Sequence, residues 1–149
     1  MDKRFIDFYM DVATRTSLLS RAVRLQVGAI IVKDDNIISL GYNGTPKGWD
    51  NNCEYNVIDN YGADPIPQTR LKTKPEVLHA EMNALMKLAR SVESGDNATL
   101  FITHAPCIDC AKGIYQAGIK EVYFKESYRS TDGIEFLQKC NVYVEQLVD

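Results

Sequence analysis

The chain has 149 residues, 45% of them hydrophobic and 25% charged, which fits a single domain spanning 1–149 with a sizeable buried core. Seventeen Lys and Arg against 20 Asp and Glu give a net charge of -3, so no general basic field exists to hold a nucleic-acid backbone, and no apolar run approaches the roughly 20 residues that span a bilayer. Neither nucleic acid nor a membrane is therefore an expected partner, and because Met1-Asp2-Lys3-Arg4-Phe5 lacks a signal-peptide core, a cytoplasmic location is expected.

Phe5, Ile6, Phe8, Tyr9, Met10, Val12 and Ala13 recur at helical spacing, with Asp2 placed to cap the start and Ser20-Arg21 near the far end. Val27 to Val32 is a β-branched run, Lys33-Asp34-Asp35-Asn36 is turn chemistry, and Ile37 to Tyr42 is a second run. Together they predict an antiparallel hairpin of two strands apolar enough to be central. Between Gly41 and Lys74 periodicity is lost and Gly, Pro, Asn and Asp accumulate, through Gly44, Pro46, Gly48, Asn51, Asn52, Gly62, Pro65 and Pro67. A long functional or mobile loop is expected there, with Trp49, Tyr55, Val57 and Ile58 available to anchor it, and a disordered insertion is the alternative.

Glu76 to Ser91 resumes a helical pattern, stopped by Gly95. Thr99 to Thr103 predicts a short buried strand, Cys107 to Ala117 a helix ended by Gly118, and Lys120 to Phe124 a strand parallel to the one before it. A last helix over Thr131 to Cys140 and a last strand over Val142 to Val144 complete an α/β fold. Its expected form is three layers, α/β/α, around a five-stranded mixed sheet with helices on both faces.

Two segments carry chemistry. His79 and Glu81 sit at the start of one predicted helix, and Cys107 and Cys110, at i and i+3 after Pro106, share one face of another. One nitrogen and two sulfurs suit Zn2+ and leave a fourth position open, the pattern of a catalytic zinc that lowers the pKa of water to about 7. Glu81 is read as a proton shuttle and not a ligand, because H-x-E…P-C-x-x-C is the arrangement of zinc-dependent nucleobase deaminases. A bare CxxC redox pair or structural knuckle would leave Glu81 without a purpose. Of the other cysteines, Cys140 is expected to be a core thiol and Cys53 no part of this site.

At these residues the chain resembles the deoxycytidylate (dCMP) deaminase family of the cytidine deaminase superfamily. The likeness rests on Val27-Gly28-Ala29-Ile30-Ile31-Val32, Gly41-Tyr42-Asn43-Gly44-Thr45-Pro46, His79-Ala80-Glu81-Met82-Asn83-Ala84 and Pro106-Cys107-Ile108-Asp109-Cys110-Ala111-Lys112. It implies the fold above and deamination of dCMP to dUMP with one catalytic zinc per subunit. It further implies that Asn43 meets the sugar, the backbone at Ala80 reads the pyrimidine edge, and Tyr128 lines the pocket. Activation by dCTP and inhibition by dTTP are implied too, at a site near Gly41, Tyr42, Gly44 and Arg90 in a homo-hexamer, with Mg2+ accompanying the triphosphate.

Arg21, Arg24 and Lys47 are named for the phosphate, Arg21 being assigned to the substrate. The chain departs from viral members that hold a second zinc, since Ala22, Val23 and Arg24 precede the first strand and no histidine lies just upstream of His79. His104 also departs from the family pattern and is read as a rim residue without a chemical role. A tRNA adenosine or other nucleobase deaminase with the same zinc chemistry is the alternative function, and a zinc-stabilised binding module is a non-enzymatic one.

Overall fold

A computed structural model describes residues 1–59 and 68–149; the expectations for Gly62, Pro65 and Pro67 lie outside the described residues. The element order is α1 (Lys3–Ser17), β1 (Gly28–Lys33), β2 (Asn36–Tyr42), β3 (Glu54–Asp59), β4 (Gln68–Thr73), α2 (Ala80–Ala89), β5 (Thr99–His104), α3 (Ile108–Gln116), β6 (Glu121–Glu126), α4 (Asp132–Lys139) and β7 (Tyr143–Gln146). The main sheet has the order β2-β1-β5-β6-β7, antiparallel at β1–β2 and β1–β5 and parallel at β5–β6 and β6–β7. The expected five-stranded mixed sheet is therefore present, and α3 makes the crossover that a parallel pair requires.

The strand period of two sorts side chains into two cores. Ala29 and Ile31 of β1, with Leu100 and Ile102 of β5 and Val122 and Phe124 of β6, face α2, α3 and α4. Ile30, Val32, Phe101 and Tyr123 point the other way, onto Tyr9, Met10 and Ala13 of α1. Burying each such Ile, Leu or Phe contributes roughly 1.5–3 kcal/mol. This double-sided burial explains why β1 and β5 read as continuous apolar runs. Helix α1 starts where the Asp2 side chain accepts from Arg4 N at 2.9 Å and ends at Ser17, short of the expected Ser20.

Two expectations need correction. Strand β2 is an edge strand and not a central one, with most of its residues exposed or half-buried; Ile38 packs against the main core, while Ile37, Leu40 and Tyr42 are exposed. The stretch from Gly41 to Lys74 is not wholly irregular, because β3 and β4 form a separate two-stranded antiparallel sheet. The turn between β1 and β2 follows its sequence, with Asp34 and Asp35 at φ of 49 and 62°, the left-handed pair that matches strand twist in a tight hairpin.

Two glycines set the distances around the site by close approach. A side-chain carbon on Gly41 would run into the Ala80 carbonyl and lie 2.6 Å from Ala84 N, so only glycine lets β2 lie against the first turn of α2. One on Gly133 would strike the Pro106 carbonyl and lie 2.9 Å from the Cys107 carbonyl, so α4 begins directly on the peptide that carries the first cysteine.

Candidate metal centre and substrate cleft

His79 is the N-cap of α2 and Cys107 the N-cap of α3, each in extended backbone, while Glu81 and Cys110 fall in the first turns of those helices. Both helices thus aim their N-terminal ends at one point, where the dipole favours a thiolate. The expected helix start at Glu76 is four residues early, because Leu78 is held in an extended pairing with Gly44: Leu78 N donates to Gly44 O at 2.8 Å and Gly44 N to Leu78 O at 3.1 Å. Asn83 Nδ2 donates to Tyr42 O at 2.8 Å and Lys87 Nζ to Leu40 O at 2.6 Å. The segment from Leu40 to Gly44 is in this way laced to the helix that carries His79 and Glu81.

His79 Nδ1, Cys107 Sγ and Cys110 Sγ lie within 4.8 Å of one another. The nitrogen is 3.3 Å from the Cys110 sulfur and 3.7 Å from the Cys107 sulfur. Donors about 2.0–2.3 Å from a tetrahedral ion are separated by roughly 3.3–3.8 Å, so this donor set fits zinc. Cys107 is held far below the ordinary thiol range, at about 3, by hydrogen bonds from the Cys110 thiol and then from His79. Cys110 is pushed up, because its proton serves the Cys107 thiolate and because it is buried. The same hydrogen bond to Cys107 raises His79.

Glu81 is 4% exposed, and burial raises its carboxyl above the usual range. It borders a cleft with His79, Cys107, Ala80, Asn43, His104 and Tyr128. Ala80 is fully buried there. Asn43 reaches the cleft, yet its amide is already engaged: Oδ1 accepts from Val27 N and Nδ2 donates to Leu25 O, both at 2.8 Å. One lone pair and one hydrogen remain for a ligand. His104 hydrogen-bonds Thr103 Oγ1 at 2.8 Å, and burial lowers its pKa against an opposing pull from Glu126.

The three cations named from sequence part company. Arg24 borders this first cleft. Arg21, expected at the substrate, borders a second cleft instead, together with Lys47, Tyr42, Gly44, Lys87 and Arg90. Cys53, 1% exposed, packs with Ala22 and Val77 in a small apolar cluster, and Cys140 is half-buried against the main core. Sequence reasoning missed Glu54, Thr73 and Gly133. Only Gly133 carried a local signal, a glycine in a helix first turn where alanine is preferred.

The model of the cytidine and deoxycytidylate deaminase zinc-binding region matches residues 3–126. The chain is 37% identical over 145 residues to ComE operon protein 2 of Bacillus subtilis, covering 94% of this chain and 69% of that one. It is 33% identical over 147 residues to the deoxycytidylate deaminase of Schizosaccharomyces pombe, covering 95% of this chain but only 43% of that enzyme's length. Among solved structures, the dCMP deaminase of the cyanophage S-TIM5 in complex with dCMP and dUMP superposes with a TM-score of 0.86 at 45% identity, over 99% of each chain.

Proposed function

The chain belongs to the cytidine and deoxycytidylate deaminase family, and from that membership we propose that residues 1–149 act as one catalytic domain that hydrolyses dCMP to dUMP and ammonia. The observation that carries this reading is Glu81: a carboxylate buried beside a His/Cys/Cys donor set, 3.7 Å from His79 Nδ1, without being needed to hold the ion. A closed structural site has no use for it. The substrate is argued from the whole-length likeness to the cyanophage enzyme.

His79, Cys107 and Cys110 would hold one zinc ion, which when bound supplies the Lewis acidity that lets water ionise near neutral pH. Glu81 does the proton work. Its raised carboxyl takes a proton from the attacking water and delivers it to the base, so that the C4–N bond breaks, a C4=O bond forms and the amino group leaves as ammonia. Ala80, at the start of α2, borders the cleft, and its N–H is the group we assign to the pyrimidine edge. Tyr128 lines the wall against the ring, and Asn43 offers its remaining lone pair and hydrogen to the sugar.

The second cleft gathers Arg21, Lys47, Lys87 and Arg90 around Tyr42 and Gly44, a density of cations suited to a triphosphate. We assign it to dCTP as activator and dTTP as inhibitor, with Mg2+ on the triphosphate, in a hexamer whose contacts cover exposed Trp49, Tyr55 and Ile58. The test of the catalytic reading is ammonia release from dCMP, cytidine and a tRNA anticodon stem. Turnover of dCMP above the other two is expected, and selective turnover of the RNA would replace this reading with the adenosine deaminase one. No helix among the described residues is long and apolar enough to cross a membrane.

A further inference from the structure

One rung of the small β3–β4 sheet grips Arg24 at both ends. Glu54 and Thr73 are cross-strand partners at the base of that hairpin. Glu54 is 5% exposed, and a single carboxylate oxygen, Oε1, accepts from Val23 N at 2.9 Å and Arg24 N at 3.1 Å. Thr73 Oγ1 accepts from the Arg24 guanidinium at 3.1 Å. Arg24 and Thr73 both border the cleft beside His79 and Glu81.

A buried carboxylate spent on two consecutive amides is costly unless those amides must be held in one place. The segment they belong to has no helix or strand of its own between Ser17 and Gly28. Its other fixed points include Ser20 Oγ, which donates to Asn43 O at 2.8 Å and accepts from Ala22 N at 3.2 Å, the Gln26 Nε2 bond to Ser20 O at 2.8 Å, and the Asn43 amide on Leu25 and Val27. Around it, Ala22, Cys53 and Val77 form only a three-residue apolar cluster. That is little burial to order a loop, so polar contacts carry the ordering, and at Val23 and Arg24 the contact is the Glu54 carboxylate. The Arg24 guanidinium donates to a neutral hydroxyl and not to a carboxylate among the described residues, which leaves its charge available to an anion at the mouth of the cleft.

We propose that Glu54 is a positioning residue for substrate binding: by capping the Val23 and Arg24 amides it holds the Arg24 guanidinium, steadied by Thr73, where the 5′-phosphate of the nucleotide enters. The phosphate part of this inference rests on the dCMP reading. Glu54 acts on affinity and leaves proton transfer at Glu81 untouched. It acts as an acceptor and not as a charge, since one oxygen makes both bonds.

The test is steady-state deamination of dCMP by zinc-loaded full-length variants. Glu54→Ala should raise KM about tenfold, as expected for losing two hydrogen bonds at once, with kcat within about twofold. Glu54→Gln should stay within about twofold of the parent in both, because its carbonyl oxygen can still accept. In an Arg24→Ala background Glu54→Ala should raise KM no further. An unchanged KM in Glu54→Ala, a loss confined to kcat, or a KM effect that adds fully to that of Arg24→Ala would overturn the proposal. If Glu54→Ala does not fold, Thr73→Val reads the same split, and an unchanged KM there overturns it equally. Amide exchange at Val23 and Arg24, measured without substrate, separates the two layers. If the parent fails to turn over dCMP while these amides lose protection in Glu54→Ala, the substrate reading falls and the clamp stands; if they stay protected, the clamp itself is refuted.

Discussion

The Glu81 carboxylate lies 3.7 Å from His79 Nδ1, the ring nitrogen that also faces both cysteine sulfurs, and its side chain is 5% exposed against 49% for the histidine. The candidate ligand atom and the carboxylate proposed as proton carrier, two residues apart, thus meet at one point while differing in solvation. The helix start makes this possible: His79 caps α2 in extended backbone and Glu81 is already helical, so the two side chains converge where i and i+2 of a regular helix would diverge.

Glu81→Gln keeps the shape and removes the exchangeable proton. Zinc content should stay at about one catalytic equivalent, while turnover falls by roughly 10²–10⁴-fold or more, since general acid–base catalysis alone is of that order. Metal analysis beside ammonia release checks both, and near-parental turnover in a zinc-loaded variant would remove Glu81 from the mechanism.

His79→Ala, Cys107→Ser and Cys110→Ser should each lower zinc content, because each deletes one of three donors. Cys53→Ser and Cys140→Ser should leave it unchanged. Cys53→Ser should instead cost about 1–3 kcal/mol of stability, from a hydroxyl placed in the Ala22–Val77 cluster. Release of a second equivalent of zinc by Cys53→Ser would contradict the single-ion reading.

Gly41→Ala and Gly133→Ala should destabilise by about 1–3 kcal/mol each, because neither the α2 backbone nor the Pro106–Cys107 peptide can give way cheaply. Gly44→Ala, where nothing lies within 4 Å of an added carbon, should be close to neutral. Denaturant midpoints of the three variants rank them, and equal effects at all three would mean that the helix–strand contacts are looser than described.

Burial holds His104 below its ordinary pKa of 6.5. The unfolded chain therefore binds a proton that the folded chain resists, so this contribution to stability is present above about pH 6.5 and is lost as the pH falls through the depressed folded value. His104→Gln should flatten the decline of Tm on acidification over that window. An unaltered slope would show that the imidazole is as solvated folded as unfolded.

Saturation curves for dCMP, recorded with dCTP or dTTP and alongside mass by light scattering, test the second cleft. Activation by the first, inhibition by the second and a hexameric mass are expected. Arg90→Ala should weaken both responses while sparing turnover without effector, since Arg90 borders the second cleft and not the first. A monomer indifferent to both nucleotides would leave the zinc chemistry standing and the regulation refuted.

The sequence by itself determined whatever short-range periodicity can encode. Val27 to Val32 and Thr99 to Thr103 announced strands buried on both faces, and they are central in the sheet. Cys107 and Cys110, one helical turn apart after Pro106, and His79 with Glu81 at the head of another helix announced a metal site, and the structure brings the three donors together. Those signals are local because neighbours along one helix or strand share a face whatever else the chain does. Only the tertiary structure decided what depends on partners far away in the chain. The β3–β4 hairpin was illegible because its strands are largely exposed, with β4 reading Gln-Thr-Arg-Leu-Lys-Thr and showing no buried alternation. Ile37 to Tyr42 looked central, yet nothing in its composition says whether a strand has one neighbour or two. The grip of Glu54 on Val23 and Arg24 spans 31 and 30 residues. The sorting of Arg24 into one cleft and Arg21 into another, three residues apart, follows from the path of a loop whose course those long-range hydrogen bonds set.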